Sequence, residues 1–517
     1  MEMLLRKGLA DISAGRYETV HAGAIERIRA DVNDPVPYYL LARIAFDHSN
    51  YAKSGELFDK ARSLAPGNPL YIAGQAEHLV TVGRQAEALE LADEAAKLPV
   101  DDAFAADTLG VVYSRTGFHE KAVPFFERAV ELNPLPGNFH YNLGTSLQFS
   151  GDFGRAEKEY KATIERQPDS FRAWSAITGL RKQTSKENHL SQLEALFRAN
   201  AADPDAALHL GHAIAKTLED LGRYEESFDW LVRAKRGKRQ AIGYDVQSDL
   251  DLFTAAAEKG TAVAETDNPP SDAPIFIVGL PRTGTTLVDR ILSSHPDVVS
   301  AGELNTFASL IKALSKSTSN RVLDVETLKN VATADLAETG RAYVEKTRRL
   351  TRGARRFTDK MPLNFFYAGL IHRALPQAKI VVLRRDPADS CLSNFRQLFA
   401  TGFSYYNYAF DIADTAAYYR AFDALIDNWR ESLPPQTFME LHYEDIVHDQ
   451  EATTRELLAF CDLDWNEACL RFHENEAPVA TASSVQVRQP LYSGSIGRWK
   501  KYGTRLDGLR RALGLLD

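Results

Sequence analysis

Small residues recur at a fixed interval through the first third of the chain. Two columns of them repeat every 34 positions. The first column is Gly8, Ala42, Ala76, Gly110 and Gly144, and the second is Ser54, Ala88, Ala122 and Ala156. In the same phase lie the aromatic residues Phe58, Phe126 and Tyr160 and the prolines Pro66, Pro134 and Pro168. This period predicts pairs of antiparallel helices, in which small residues allow close approach, aromatic rings fill the gap and proline ends the second helix.

The pattern resembles the tetratricopeptide repeat. At least four units are in phase between residues 35 and 170, and a weaker unit precedes them. After Trp174 the phase breaks, and Ala215, Gly222, Ser227 and Ala234 indicate one more unit. The resemblance implies an all-α superhelix over residues 1–258, with a concave surface that holds a peptide, a protein or a second subunit. A scaffold that only braces the rest of the chain is the alternative.

The hydrophobic pattern changes after residue 273. Apolar runs at residues 275–278 and 380–383 predict strands that are buried on both faces. Each run is followed by a helical pattern, the second one beginning at Pro387, which suits the first turn of a helix. We therefore predict an α/β domain of P-loop-like type with a mainly parallel sheet over residues 274–517. Residues 259–273, which are poor in apolar periodicity, predict a linker.

A glycine-bracketed loop follows the first of these strands. Gly279 and Gly284 have the spacing of a P-loop, but Thr285 stands where a nucleotide triphosphatase has its lysine. Backbone N–H groups and the following helix N-terminus favour an anion. With Arg282 as the loop cation, the loop suits a nucleotide 5'-phosphate that carries a less charged transferable group than a triphosphate.

A second candidate anion site lies at the end of the strand at residues 380–383. Arg385 stands between this strand and the next helix, and Ser393 follows eight residues later. The planar guanidinium fork of arginine is suited to phosphate. The two sites lie at the carboxyl ends of predicted parallel strands, where open α/β sheets bind their ligands.

These segments resemble those of sulfotransferases, over roughly residues 270–505. Residues 281–286 resemble the 5'-phosphosulfate loop, and residues 379–393 resemble the 3'-phosphate element. The resemblance implies 3'-phosphoadenosine 5'-phosphosulfate as co-substrate and adenosine 3',5'-bisphosphate as product. No metal is expected, because a sulfonate carries less charge than a terminal phosphate and the sequence has no histidine–cysteine cluster at ligand spacing and no acidic loop of the EF type. The donor-binding residues that it implies are Arg282, Thr283, Gly284, Thr285, Thr286, Arg385, Ser393, Tyr443 near the adenine, and Arg498 at the 3'-phosphate.

The catalytic base is predicted to be Glu303. It follows Arg282 by 21 residues, a separation similar to that of the tyrosyl-protein sulfotransferases, whose base is a glutamate. The small-molecule cytosolic members use a histidine instead and carry tryptophan where this chain has Leu287, which favours Glu303 over His295. The resemblance, which extends to the heparan-type enzymes, also implies catalytic roles for Arg282, for Lys360, and for Ser483 or its neighbour Ser484 beside the sulfonate.

Composition restricts the location and the partners. A net charge of −9 argues against general nucleic-acid binding. The chain has no apolar run of the roughly 18 residues that a membrane span needs. Its 3 cysteines, without motif spacing, favour reduced thiols in a cytoplasm. Within this acidic chain, a local basic pocket is predicted from Arg384, Arg385, Arg396, Arg498, Lys500 and Lys501.

The function predicted from the sequence is sulfonate transfer to a hydroxyl group of a protein or peptide, a saccharide or a small molecule, with the repeats binding the acceptor or a partner. One alternative is a P-loop kinase of small substrates, against which the missing P-loop lysine counts. The other is a non-catalytic repeat adaptor, against which the presence of Glu303 and Lys360 counts.

Overall fold

The computed structural model describes residues 2–259, 273–319, 321–331, 336–351, 353–475, 477 and 486–516. These residues form two compact units. The first comprises the described residues up to Leu180, and the second comprises those from Arg181 onward.

The described part of the first unit is built from α-helices. They are α1 Glu2–Ser13, α2 Tyr17–Ala30, α3 Pro35–Asp47, α4 Tyr51–Leu64, α5 Pro69–Thr81, α6 Gln85–Ala95, α7 Ala103–Arg115, α8 His119–Leu132, α9 Gly137–Ser150, α10 Phe153–Arg166 and α11 Phe171–Leu180. Helices α3 to α10 form four consecutive pairs, so the predicted array of helix pairs between residues 35 and 170 is confirmed.

The starts of the first helices of successive pairs also follow the 34-residue period. Asp34, Asn68 and Asp102 each accept a hydrogen bond from a backbone N–H in the first turn of α3, α5 and α7. In α3 and α5 a proline follows directly, where its missing N–H costs no hydrogen bond. Repetition of these caps sets the start of each repeat at the same position.

The small-residue columns are contact points between helices. A Cβ atom added to Gly110 would lie 2.6 Å from the Phe126 ring, and one added to Gly144 would lie 2.9 Å from the Tyr160 ring. Both aromatic rings are buried. The glycine and aromatic columns therefore interlock in the pairs α7/α8 and α9/α10, as the sequence predicts.

The second unit combines helices with a sheet. Its α-helices are α12 Leu190–Ala199, α13 Pro204–Asp220, α14 Tyr224–Ile242, α15 Gln247–Lys259, α16 Thr285–Ser293, α17 Thr306–Ser315, α18 Val325–Asn330, α19 Leu336–Thr351, α20 Ala368–Ala374, α21 Pro387–Arg396, α22 Ile412–Ser432, α23 Tyr443–His448, α24 Gln450–Phe460 and α25 Asp507–Ala512. Its strands are β1 Pro274–Gly279, β2 Val298–Ser300, β3 Arg356–Asp359, β4 Lys379–Arg384 and β5 Phe438–His442. Short 3₁₀ helices span Pro362–Tyr367, Ser404–Phe410, Glu467–Glu474, Gln486–Arg488 and Arg498–Leu506.

The strands form one sheet in the order β2-β3-β1-β4-β5, and every pairing is parallel. In β1, Ile275 and Ile277 pack into the hydrophobic core on one face, and Phe276 and Val278 pack into the core on the other. Since both faces are covered, the continuous apolar runs of β1 and β4 have the composition that such burial requires. The predicted fold class is confirmed.

Helices α13 to α15 belong to the second unit. The ring centroids of Phe228 on α14 and Phe395 on α21 are 5.5 Å apart. Those of Phe253 on α15 and Phe366 are 4.7 Å apart. The extra helix pair predicted beyond Trp174 is α13 and α14. The predicted linker at 259–273 lies almost wholly outside the described residues and stays a prediction.

Two further features concern the cysteines and the apolar character of the helices. Cys391, Cys461 and Cys469 are buried thiols. Within the described ranges, no helix has the length and apolar character needed to cross a membrane.

Substituting Gly110 tests the interlock between helices of a pair. Alanine gains up to about 1 kcal/mol of helix propensity, but overpacking a core typically costs about 1–3 kcal/mol. We expect Gly110→Ala to lower the melting temperature measured by circular dichroism. Gly23, an exposed position within α2 with no other atom near its missing Cβ, is the control. Gly23→Ala should leave the melting temperature equal or higher, and the same behaviour of Gly110→Ala would contradict the interlock.

Candidate functional site

Every strand of the described sheet ends beside a residue that the sequence analysis singled out. The glycine-bracketed loop follows β1, Glu303 lies after β2, and Lys360, Arg385 and Tyr443 directly follow β3, β4 and β5. Because all strands are parallel, these ends lie at one edge of the sheet. The strand order places the loop in the centre, with Lys360 and Glu303 on one side and Arg385 and Tyr443 on the other.

The loop after β1 is held through its carbonyl oxygens. The donors are Thr283 Oγ1 to the Leu280 oxygen at 2.7 Å, Asn394 Nδ2 to the Pro281 oxygen at 2.8 Å, and Arg385 Nη1 to the Arg282 oxygen at 3.0 Å. In a planar trans peptide the N–H points away from the carbonyl. These bonds therefore turn the N–H groups of Arg282 and Thr283 to the side opposite the anchoring donors.

The backbone of this loop is strained where it bends most sharply. Arg282 has a φ of 67°, which non-glycine residues seldom adopt. Gly284, with a φ of 111°, directly precedes α16, and a Cβ atom there would lie 2.8 Å from the Tyr443 ring. Such strain is typical of functional loops that their surroundings hold in place.

Arg385 connects the predicted 3'-phosphate element to the loop. Its Nη1 atom contacts the Arg282 carbonyl oxygen and also lies 3.3 Å from Ser393 Oγ. Its guanidinium lies 4.9 Å from the centre of the Tyr443 ring, and the Tyr443 hydroxyl is 2.6 Å from Ser495 Oγ. The structure thus brings Arg282, Arg385, Ser393 and Tyr443 into one site.

The site carries a concentration of positive charge. Burial lowers the pKa of Arg282 to about 10, and the charges of Arg396, Arg385 and Arg498 act in the same direction. The Nε atoms of Arg385 and Arg498 are buried and have no hydrogen-bond partner in the described part of the chain. An anion bound among these arginines would relieve their repulsion and supply acceptors for the unpaired donors.

The backbone around Arg498 is held by a buried carboxylate on a neighbouring helix. Asp389 on α21 accepts hydrogen bonds from the N–H groups of Gly497, at 2.6 Å, and Trp499, at 3.0 Å. The Arg498 guanidinium itself pairs with Glu219 on α13. The backbone on both sides of Arg498 and its guanidinium are thus held by separate carboxylates.

On the other side of the loop, Lys360 forms an ion pair with Glu303. The Lys360 side chain is 3% exposed and that of Glu303 is 36% exposed. A solvent-borne molecule can therefore reach Glu303, while Lys360 lies beneath it. A lysine ammonium has three donors, so the pair leaves donors for a second acceptor.

Asp359 positions both members of this pair. Its Oδ1 atom accepts hydrogen bonds from the backbone N–H groups of Leu304, at 3.4 Å, and Met361, at 3.2 Å. These are the residues that follow Glu303 and Lys360. One buried carboxylate therefore fixes the backbone at the ends of two neighbouring strands.

Asp359 has an altered proton affinity. Burial raises its pKa from 3.8 to about 7, although the hydrogen bond from Tyr343 and the charge of Lys360 act in the opposite direction. The Tyr343 hydroxyl lies 2.7 Å from Oδ2. The folded protein consequently holds a proton on this group more tightly than the unfolded chain does.

An aromatic cluster lies near Glu303. Phe399 stacks on Tyr406 at 4.3 Å between ring centroids, and Phe403 stacks on Tyr405 at 5.2 Å. Burial, followed by the charge of Glu303, raises the pKa of the Tyr405 and Tyr406 phenols. The two phenols therefore stay protonated.

His295 is bound at both ring nitrogens. Nδ1 accepts a hydrogen bond from the Asp297 N–H at 3.1 Å, and Nε2 lies 3.0 Å from the Asp464 carbonyl oxygen, to which it must donate. The ring stabilises its turn, in agreement with the preference for Glu303 over His295.

Of two further predicted residues, one lies outside the described part of the chain and the other has different partners. Ser483, with its neighbour Ser484, lies outside the described residues. Arg384, expected in the basic pocket, donates instead to Asp423 and Glu440. Strand alternation explains this, because consecutive side chains point to opposite faces. Arg385, one position later, is the residue that contacts the loop.

Sequence reasoning missed the buried groups that hold these cations and the loop. They are Glu219, Asp359, Asp389 and Asn394. Sequence reasoning also missed Asp289, which holds two strand ends. Asp289 on α16 accepts hydrogen bonds from Ser300 on β2, at 3.0 Å, and from Thr358 on β3. A carboxylate inside the apolar pattern of α16 was a signal for burial with partners, whereas nothing in the sequence marked Glu219.

The matches to known families fall in the same two parts of the chain as the two units. Residues 274–467 match the model described as "Sulfotransferase family", and residues 106–134 and 141–177 match models of the tetratricopeptide repeat. Residues 274–467 form a sulfotransferase-family domain. This domain contains the loop after β1, Glu303, Lys360, Arg385 and Tyr443, while Glu219 and Arg498 lie outside the match.

Two curated relatives extend this comparison. An uncharacterized protein of Aquifex aeolicus is 30% identical over 327 residues, which are 61% of this chain and 42% of that protein. A protein-tyrosine sulfotransferase of Drosophila melanogaster is 26% identical over 238 residues, 44% of this chain and 46% of that protein. The chain therefore spans less than half of the length of either relative.

One of the similar solved structures is described as a sulfotransferase domain. The sulfotransferase domain of the Synechococcus PCC 7002 olefin synthase has 18% identity and a TM-score of 0.33, and the match covers 46% of this chain and 91% of that one. A score this low adds nothing to the assignment, which rests on the sequence match.

The proton on Asp359 makes a testable contribution to stability. Since folding raises this pKa from 3.8 to about 7, the stabilisation is present at low pH and is lost as the pH rises through about 7. Asparagine cannot titrate. We expect the melting temperature of the wild type, relative to Asp359→Asn, to fall between pH 5 and pH 8. A difference that is constant or grows over this range would contradict the buried, proton-binding state of Asp359.

Proposed function

We propose that the second unit transfers a sulfonate group from 3'-phosphoadenosine 5'-phosphosulfate to a hydroxyl group. The observation that carries the proposal is the contact between Arg385 and the Arg282 carbonyl, at 3.0 Å. It joins the two candidate phosphate sites into one, as a nucleotide with both a 5'- and a 3'-phosphate requires. The match to the sulfotransferase family supports the same chemistry.

In this proposal the donor nucleotide is bound by the loop and by the residues on the Arg385 side of it. The loop N–H groups and the N-terminus of α16 bind the 5'-phosphosulfate, and Arg385, Ser393 and Arg498 bind the 3'-phosphate. Tyr443 lies beside the adenine. The two unpaired Nε donors of Arg385 and Arg498 would gain acceptors from the 3'-phosphate.

The reacting end of the donor would lie toward Lys360 and Glu303. The sulfur–oxygen bond to the donor phosphate breaks while sulfur bonds to the acceptor oxygen, and the acceptor proton moves to Glu303. Lys360 and Arg282 stabilise the charge that develops on the departing phosphate and on the sulfonate. The exposed fraction of Glu303 admits the acceptor, and the aromatic cluster of Phe399, Phe403, Tyr405 and Tyr406 borders its approach.

The chemistry proposed here uses no metal. The transferred sulfonate has less charge to neutralise than a terminal phosphate, and the arginines and Lys360 supply cations. The described residues contain no group of three or more histidine, cysteine, aspartate or glutamate side chains arranged to hold a metal ion.

The first unit would bind the acceptor, a partner protein or a second copy of this chain. Tetratricopeptide repeats form an extended concave surface, which suits a peptide or protein segment. We also propose that the protein works in the cytoplasm, because its three cysteines are buried thiols. Incubating the full chain with sulfur-labelled donor and cell extract, and identifying the labelled product, tests which acceptor class is used.

Nucleotide preference separates this function from that of a kinase. By calorimetry, adenosine 3',5'-bisphosphate should bind more tightly than ADP or ATP, and Mg²⁺ should not reverse the order. Tighter binding of ATP in the presence of Mg²⁺ would favour a P-loop kinase and contradict the proposal. Binding of neither nucleotide would favour a non-catalytic adaptor.

Arg385 and its neighbour Arg384 provide a matched pair. A hydrogen bond to a charged group contributes about 1.5–3 kcal/mol, so Arg385→Ala should weaken binding of the bisphosphate by about tenfold or more. Arg384→Ala should change it little, because Arg384 pairs with carboxylates away from the loop. Equal effects of the two substitutions would exclude a specific role for Arg385.

Glu303 is tested through turnover. General base catalysis contributes about 10²–10⁴ in rate, so Glu303→Gln should lose activity by at least about 10². Affinity for the bisphosphate should stay within a few-fold. Glu338→Gln, at an exposed ion pair with Arg341 on α19, is the control. Turnover that survives in Glu303→Gln would remove Glu303 from the mechanism.

A further inference from the structure

Glu219, near the end of α13, is a buried carboxylate between two arginines. Its side chain is 6% exposed. Oε2 accepts a hydrogen bond from Arg396 Nε at 2.8 Å, and Oε1 pairs with Arg498 Nη2. Burial alone would raise the pKa of Glu219, but the charges of Arg396 and Arg498 outweigh it and hold the pKa below its ordinary value. The group is therefore a carboxylate at neutral pH.

The position of Arg498 depends on this carboxylate. Asp389 holds the backbone on both sides of Arg498 through the N–H groups of Gly497 and Trp499. The Nη2 atom of the Arg498 side chain is held by Glu219. The Nε atom of Arg498 is buried and without a partner in the described part of the chain. The guanidinium is thus anchored at one nitrogen and keeps another for a ligand.

The charges around Glu219 explain why the anchor is needed. Arg282, Arg385, Arg396 and Arg498 are close enough that three of them lower the pKa of the fourth, Arg282. Without a carboxylate between them, Arg396 and Arg498 would repel each other and the neighbouring loop cation. Arg498, which is 30% exposed, has room to turn toward solvent.

We propose that Glu219 is a positioning residue for recognition of the 3'-phosphate: it holds Arg498 so that the guanidinium faces the nucleotide beside Arg385. The inference rests on the proposed function and extends it to a helix that precedes the sulfotransferase-family domain. Selectivity for a 3'-phosphorylated nucleotide would then depend on α13 as well as on the residues at the sheet edge.

The experiment measures selectivity in the full chain. Calorimetry gives the affinities for adenosine 3',5'-bisphosphate and for adenosine 5'-phosphate, and their ratio reports the contribution of the 3'-phosphate. We expect Glu219→Gln to lower this ratio by about fivefold or more, because a displaced charged hydrogen bond is lost. Binding of adenosine 5'-phosphate should change little, because this nucleotide lacks the 3'-phosphate that Arg498 would bind.

Arg498→Ala and the double variant show whether Glu219 acts through Arg498. Arg498→Ala should lower the ratio similarly, and adding Glu219→Gln should lower it no further, since residues in one network are not additive. Glu226→Gln on α14, which removes an exposed ion pair with Arg223, should leave the ratio unchanged. Glu219→Asp keeps the charge but shortens the side chain. It should give an intermediate ratio, and it provides the measurement if Glu219→Gln does not fold.

Several results would overturn the proposal. An unchanged ratio in the Glu219 variants, or a higher one, would mean that the carboxylate does not orient Arg498 or competes with the phosphate. An equal loss for both nucleotides would assign Glu219 a merely structural role. A wild type that prefers the bisphosphate, with Glu219→Gln unaffected, overturns only the positioning role. A wild type that does not distinguish the nucleotides contradicts the proposed function itself.

Discussion

The parallel pairing of five strands is the constraint on which the site depends. Parallel strands end at one edge of the sheet. Strand pairing alone therefore brings together side chains that are far apart in sequence. The central strand β1 carries the glycine-bracketed loop, and its neighbours β3 and β4 carry Lys360 and Arg385, which flank it. A nucleotide that lies along this edge would meet one phosphate site at the loop and another at Arg385, and its reacting group would lie toward Lys360.

Buried carboxylates hold the cations of this edge in place. Asp359 fixes the backbone after Glu303 and Lys360, Asp389 fixes the backbone around Arg498, and Glu219 holds the Arg498 side chain. Burying charge is costly unless it is paired and hydrogen-bonded. These groups therefore stabilise one arrangement of the cations. If a carboxylate were removed, the cation left without its partner would favour a different position. The free-energy cost of burying these charges is already included in folding, before any ligand binds.

Much of this arrangement could be predicted from the sequence, because its signals are local. The helix pairs follow from small and aromatic residues at one period, and β1 and β4 follow from continuous apolar runs that suit a doubly covered sheet. The loop and Arg385 directly follow predicted strands, and Lys360 was predicted from the resemblance to sulfotransferases. In contrast, Asp389, Asn394 and Glu219 meet their partners across more than a hundred residues. No periodicity records such contacts. The sequence also placed Arg384 in the basic pocket with Arg385, whereas in the structure Arg384 pairs with Asp423 and Glu440.

The most direct test is a crystal structure of the full chain with adenosine 3',5'-bisphosphate. The account predicts one nucleotide with its 5'-phosphate at the loop after β1, within hydrogen-bond distance of the N–H groups that begin α16. Its 3'-phosphate should lie within hydrogen-bond distance of Arg385 Nε. A nucleotide bound away from this edge, or one with only a single phosphate at these residues, would contradict the account.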